Sequence, residues 1–154
     1  MNKTTPTKHT TRVVDEARYV RRPPVGPRGA EIVQMDWCVG EIMQALDKHN
    51  LTDDTLVIFT SDNGTTYTGG VDADYFESTG GLRGLKGSVY EGGIRVPFVA
   101  RWPGRIEPGS VSDHVSAFWD MMPTFADVAG VESPAPIDGV SFCPLYSSAP
   151  AQLP

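Results

Sequence analysis

Apolar residues at Ile32, Met35, Val39, Ile42, Met43 and Leu46 recur at steps of three and four, leaving Glu31, Gln34, Glu41, Gln44 and Lys48 to the other side. That period predicts an amphipathic helix from Ala30 to His49, ending near Asn50. Thr55 to Thr60 reads Thr-Leu-Val-Ile-Phe-Thr, a nearly continuous apolar run rich in β-branched residues. Such a run predicts an inner strand buried on both faces, with the preceding helix packed against it. From Ser61 to Gly93 the periodicity disappears and glycines pair at 69-70, 80-81 and 92-93. A loop of that length in a compact domain is usually functional or disordered. A strand pattern returns from Ile94 to Trp102, with Pro97 arguing for its start or an edge position and Pro103-Gly104 closing it.

A last helix is expected from about Asp120, an acceptable N-cap, with Pro123 in the first turn where the N–H it lacks has no helical partner anyway. Met122, Phe125, Ala126 and Ala129 would form its apolar face with Val128 beside them, and Gly130 would stop it. Beyond lies a Pro-rich tail, irregular or with a short strand at Gly139 to Phe142. Residues 1–29 are polar, basic and rich in Thr, Arg and Pro, and read as a connecting segment ahead of one domain from 30 to 154. Helix, buried strand, second strand and helix together indicate an α/β class. There is no internal repeat.

With 154 residues the chain is long enough for one core, and 40% hydrophobic and 21% charged residues are ordinary for a globular domain. The 16 glycines and 13 prolines add a loop-rich architecture. A net charge of -6 provides no basic field for phosphate backbones, so no nucleic-acid partner is expected, and any anion must be held by local charges. Cys38 and Cys143 are too few for a disulfide framework or a zinc knuckle and read as two buried thiols without cationic neighbours. The N-terminus carries charge but no apolar stretch typical of an export signal, and no run of about eighteen apolar residues suggests a membrane span.

Candidate chemistry begins at Thr60-Ser61-Asp62-Asn63-Gly64, where the buried strand should end. Beyond the carboxyl ends of strands is where α/β sheets bind ligands, and the Asp62 and Asn63 oxygens are hard donors suited to calcium or magnesium. Taken alone, the same residues read more readily as a tight Asn-Gly turn capped by Asp62. Gly84-Leu85-Lys86-Gly87 and Tyr90-Glu91-Gly92-Gly93-Ile94-Arg95-Val96-Pro97 then place cations in a glycine-bordered loop that could approach an anion closely. The alternative is that Arg83, Lys86 and Arg95 are solvated or paired with Glu77 and Glu91. The order of the motifs is more specific than any one of them.

In that order the chain resembles the sulfatase family, most strongly from Thr55 to Gly104, and also around Met35-Asp36, Val39-Gly40 and Asp120 to Gly130. The resemblance implies a partial alkaline-phosphatase-like sandwich with a mixed sheet flanked by helices, truncated on its N-terminal side. It implies sulfuric ester hydrolysis in the complete enzyme, with Asp62 and Asn63 as two ligands of a calcium ion and Lys86 as the cation contacting the sulfate. Glu91, Arg95 and Asp120 would be structural. The substrate would be a sulfated small molecule or sugar, and the compartment periplasmic or extracellular.

Two parts of the family pattern are missing: the Cys/Ser-x-Pro-x-Arg motif that yields the formylglycine nucleophile, and the upstream Asp pair that completes the calcium site. Cys143-Pro144 has its proline one place early and no arginine. His9 lacks the flanking prolines of a family catalytic histidine and reads as a surface residue, while His49 and His114 read as helix-end and surface residues. This chain alone is therefore expected to be inactive. Alternatives are a phosphate or phosphonate monoester hydrolase on the same scaffold, or a non-catalytic module that binds an anionic sugar or a partner. An exposed sheet edge would favour self-association.

Overall fold

The computed structural model describes residues 11–12, 26–67 and 72–146. Its elements in chain order are β1 (Thr11–Arg12), α1 (Gly26–Lys48), β2 (Val57–Thr60), the single-turn helix α2 (Glu91–Ile94), β3 (Phe98–Arg101), β4 (Val111–Ser112) and α3 (Met121–Ala129). Two 3-10 turns, Phe118–Asp120 and Cys143–Tyr146, complete the set. The strands form one small sheet in the order β2-β3-β1-β4, with β1 antiparallel to β4 through Thr11 opposite Ser112 and Arg12 opposite Val111. This is an α/β fold, as the alternating patterns predicted, although β1 sits in a stretch that reads as plain connection.

Two compact units divide the chain: one contains Asp53–Val57 and the chain from Ala100 onward, the other α1 and the stretch from Ile58 to Val99. In the second unit α1 starts four residues earlier than its periodicity suggests and ends where expected. Its terminus is closed by Asn50, which turns left-handed (φ 56°) so that Leu51 N–H reaches the Leu46 carbonyl at 2.9 Å. Burial of its apolar stripe departs from the prediction. Val39, Met43 and Leu46 are half-buried, whereas Ile32 and Ile42 are 62% and 57% exposed and Met35 also faces solvent. Cys38, expected to be buried, is exposed on the same helix. Periodicity states which residues need cover; it does not supply the covering element.

The apolar run at Thr55 to Thr60 becomes β2 from Val57 onward, but all four of its residues are half-buried and it lies at the edge of the sheet. The expected inner, doubly covered strand is corrected to an edge strand. Thr60 Oγ1 donates to the Pro97 carbonyl at 2.8 Å, fixing the end of β2 against the residue that precedes β3. As its proline predicted, β3 begins directly after Pro97. Ile94, assigned by pattern to that strand, instead closes α2, because the 90–95 backbone winds a turn in which Arg95 N–H reaches the Glu91 carbonyl at 2.8 Å.

In the other unit the buried apolar side chains include Ala100, Ile106, Ala126 and Phe142. α3 forms as expected, and Gly130 (φ 67°) ends it with Val131 N–H bonded to the Ala126 carbonyl at 3.0 Å. Its buried face is Pro123, Thr124 and Ala126, while Met122 and Phe125 are exposed, so the predicted apolar face is corrected. The reason is polar. Buried Asp120 does not cap α3 with its side chain; its carboxylate accepts Ala117 N–H at 2.7 Å and Val140 N–H at 2.9 Å. Fully buried Thr124 donates to the Asp120 carbonyl at 2.6 Å and accepts Phe142 N–H at 3.1 Å.

These two side chains satisfy backbone groups from two separate segments, and that fixes which side of α3 turns inward. The 139–142 segment forms no strand, and two of its amides, those of Val140 and Phe142, go to Asp120 and Thr124 instead of to a ladder. Gly139 is required there because a Cβ would fall 2.7 Å from Trp119 C. Asp120→Ala leaves two amides unpaired and should cost about 2–4 kcal/mol in urea unfolding, with Asp120→Asn costing less because one carbonyl oxygen survives.

Candidate functional site

The chain leaving β2 enters Ser61-Asp62-Asn63-Gly64, and the local bonds are those of a tight turn: Ser61 Oγ donates to the Asn63 carbonyl at 3.1 Å. Asn63 Nδ2 donates to the Gly64 carbonyl at 2.9 Å, which commits the amide nitrogen to backbone and leaves the oxygen end as the donor atom for a ligand. Asp62 is exposed. The turn reading and the ligand reading are compatible, because the turn holds the side chains that a cation would meet.

Lys86 lies twenty-odd positions further on and comes back to this turn through the backbone. Gly64 N–H bonds to the Gly93 carbonyl at 2.9 Å, and Lys86 N–H bonds to the Thr65 carbonyl at 2.7 Å. Lys86 itself occupies the second position of a tight turn closed by Ser88 N–H on the Leu85 carbonyl at 3.0 Å, with Gly87 at φ 90° in the third, where a side chain would be strained. The three segments 62–65, 84–88 and 91–95 are therefore neighbours in one unit.

Such proximity requires backbone without side chains. A Cβ on Gly64 would lie 2.8 Å from Gly92 C and 2.9 Å from Gly93 C; one on Gly92 would lie 2.9 Å from the Arg83 carbonyl oxygen and closer to that of Gly84; one on Gly93 would lie 2.5 Å from the Leu85 carbonyl oxygen. Gly92 N–H in turn bonds to the Arg83 carbonyl at 2.8 Å. The glycines legible in sequence are thus spacers between three stacked backbones.

The three cations of the loop meet different fates. Arg95 is paired with Glu91, Nε to Oε2 at 2.6 Å with a second contact through its terminal nitrogen, one of the fates open to it in the sequence. Arg83 stacks over the Tyr90 ring, 3.7 Å from its centroid. The Lys86 side chain is exposed and has no ion pair or hydrogen bond among the described residues. No group of three or more His, Cys, Asp or Glu able to hold a metal occurs among the described residues, so Asp62 and Asn63 form at most part of a cation site. Thr65, whose carbonyl holds Lys86, carries no signal in the sequence.

The remaining candidates lie elsewhere. His9 falls outside the described residues. His49 follows the end of α1 and is exposed, and His114 is half-buried with its ring 6.2 Å from that of Phe142. Cys143 is half-buried, and its thiol is pushed up from its ordinary value, first by desolvation and then by the Asp127 carboxylate, against a smaller opposite pull from Arg105. Folding does bring a cation near it, but the thiol stays protonated and is a poor nucleophile.

The pattern of these residues agrees with comparisons to known proteins. Residues 2–131 match the model of the family described as Sulfatase. The chain belongs to the sulfatase family. An N-acetylgalactosamine-6-O-sulfatase of Bacteroides thetaiotaomicron is 39% identical over 132 residues, covering 81% of this chain and 25% of that protein. Human arylsulfatase A is likewise 39% identical over 132 residues, covering 82% of this chain and 24% of that protein. Among solved structures, Ps i-CgsB in complex with k-i-k-neocarrahexaose superimposes with a TM-score of 0.65 at 35% identity, over 73% of this chain and 24% of that one. The chain thus spans about a quarter of the length of the curated relatives it matches, and its fold is alkaline-phosphatase-like, as the motif order implied.

Gly92→Ala, at a glycine without positive φ, should cost about 3 kcal/mol or more through backbone collision. Gly87→Ala, at φ 90° with open space around it, should cost only about 1–2 kcal/mol; denaturant titration of both variants separates collision from backbone strain. Alkylation by iodoacetamide near pH 8 should label Cys38 first, with the Cys143 rate still rising at pH values where an ordinary thiol has levelled off.

Proposed function

We propose that this chain carries one side of a sulfate-ester hydrolysis site, in which Asp62 and Asn63 are metal ligands and Lys86 contacts the sulfate. The observation that carries the reading is the backbone tie between the Asp62 turn and the Lys86 turn, with Lys86 the loop cation that neither an ion pair nor a ring engages among the described residues. Members of this family are generally metal-dependent, and the donor set here fits a hard cation: one carboxylate and one amide oxygen, with the amide nitrogen already committed to backbone. Two ligands are far short of the roughly six to eight oxygens that calcium takes. The remainder would come from residues outside the described ones.

A bound calcium ion would polarise the sulfate oxygens and screen their charge. Lys86 would hold its ammonium against the bridging oxygen on which negative charge grows as the S–O bond breaks. That oxygen leaves as the alcohol on taking up a proton, while sulfur bonds to an incoming oxygen nucleophile supplied by neither Lys86 nor the two metal ligands, and water finally frees the sulfate. Neither group attacks sulfur. The covalent route of the family needs a nucleophile, and the Cys/Ser-x-Pro-x-Arg motif is absent from the sequence, while Cys143 is held protonated. Sulfated sugars are the favoured substrate class, since the N-acetylgalactosamine-6-O-sulfatase is among the relatives and a solved relative holds D-glucosamine-2-N,6-O-disulfate as its substrate, at 31% identity and a TM-score of 0.62.

The test has two arms. Purified chain with calcium and a chromogenic aryl sulfate should show no multiple turnover, and calorimetry should find calcium binding no tighter than millimolar. Placed in a complete sulfatase that includes this segment, Lys86→Ala or Asp62→Ala should lower kcat by about 10²–10³-fold. Turnover by the chain alone, or full activity of either variant in the complete enzyme, would refute the assignment.

A further inference from the structure

Arg83 and Tyr90 bracket the Lys86 turn, and we propose that their stack is a clasp that positions Lys86. The inference rests on the reading of Lys86 above for its meaning in catalysis, but the clasp itself stands on geometry. The guanidinium carbon lies 3.7 Å from the Tyr90 ring centroid, a full cation–π contact between residues seven apart. Between them the chain must reverse, and it does so at the turn whose second residue is Lys86, closed by Ser88 N–H on Leu85.

Both ends of the clasp are also tied by backbone. Arg83 O accepts Gly92 N–H at 2.8 Å, and Tyr90 O accepts Gly93 N–H at 2.8 Å. Gly84, at φ 88°, has no side chain where one would lie 2.8 Å from Tyr90 Cβ and would run into Ser88 Oγ, so the absence of a Cβ is what allows Tyr90 to swing alongside Arg83. Ser88 Oγ, which faces the Cα of Gly84, is buried with no hydrogen-bond partner among the described residues.

The clasp does two things for Lys86. It shortens the span of chain that can open, which keeps Lys86 N–H on the Thr65 carbonyl and so keeps the ammonium in register with the Asp62 turn. It also occupies the neighbouring guanidinium, so that Arg83 does not compete for an anion that approaches Lys86. Arg83 and Tyr90 are positioning residues and touch no reacting atom.

Amide hydrogen exchange on this chain, read by NMR at Lys86, tests the clasp. An exposed cation–π contact of this kind supports an opening equilibrium changed by about 2–5-fold. Arg83→Ala and Tyr90→Leu should each raise Lys86 amide exchange by that factor, Tyr90→Phe should restore the wild-type rate because the ring face is kept, and the double variant Arg83→Ala/Tyr90→Leu should match the single ones. The Val131 amide, bonded within the other unit, should not change. The proposal is overturned if Tyr90→Phe behaves as Tyr90→Leu, if the two losses add, or if Val131 exchange rises equally. No sulfate enters this measurement, so failure of the Lys86 assignment in the activity test would leave the exchange result intact, and the reverse also holds.

Discussion

Everything in the candidate site depends on three backbones meeting without side chains between them. Gly64, Gly92 and Gly93 are each at a distance from neighbouring carbonyls that a Cβ could not share. The resulting amide-to-carbonyl bonds, from Gly64 to Gly93, Gly92 to Arg83 and Lys86 to Thr65, join three separate segments of the loop. Hydrogen bonds of this kind contribute modestly when made and cost more when left unmade in a buried place. Close approach is therefore selective: the loop either stacks in this one register or leaves several groups unpaired.

A similar logic orders the other unit, with side chains in place of missing ones. Asp120 and Thr124 take amides from Ala117, Val140 and Phe142, and so decide which side of α3 faces inward against the preference of its larger apolar residues. Packing follows polar satisfaction there, because a buried unpaired amide costs as much as an exposed methionine gains by burial. α1 shows the opposite situation. Its apolar residues recur at helical spacing, but Ile32, Met35 and Ile42 remain in solvent, a surface for which the chain, spanning a quarter of its relatives' length, supplies no cover among the described residues.

Electrostatics then distinguishes residues that sequence treats alike. Arg83, Lys86 and Arg95 are three cations within one glycine-bordered loop, and geometry gives one a ring, one a carboxylate and leaves the third to solvent. A cation already engaged gains little by meeting an anion, so the exposed ammonium is the one able to change partners when a sulfate arrives. Cys143 illustrates the inverse: a nearby arginine does not activate it, because desolvation and Asp127 outweigh that pull.

The sequence by itself determined the helices α1 and α3, their stop signals at Asn50 and Gly130, the start of β3 after Pro97, and the order of motifs that marks the family. These are local matters, set by period, by φ preference and by the amide that proline lacks. It also singled out Asp62, Asn63 and Lys86, since motif order survives without any knowledge of contacts. Only the tertiary structure decided which apolar faces are covered, that β2 is an edge strand, that Ile94 winds into α2, that Asp120 serves distant amides, and that Arg83 rests on Tyr90. Each of those depends on pairing between residues many positions apart, where several partners are chemically equivalent and only the folded backbone chooses among them.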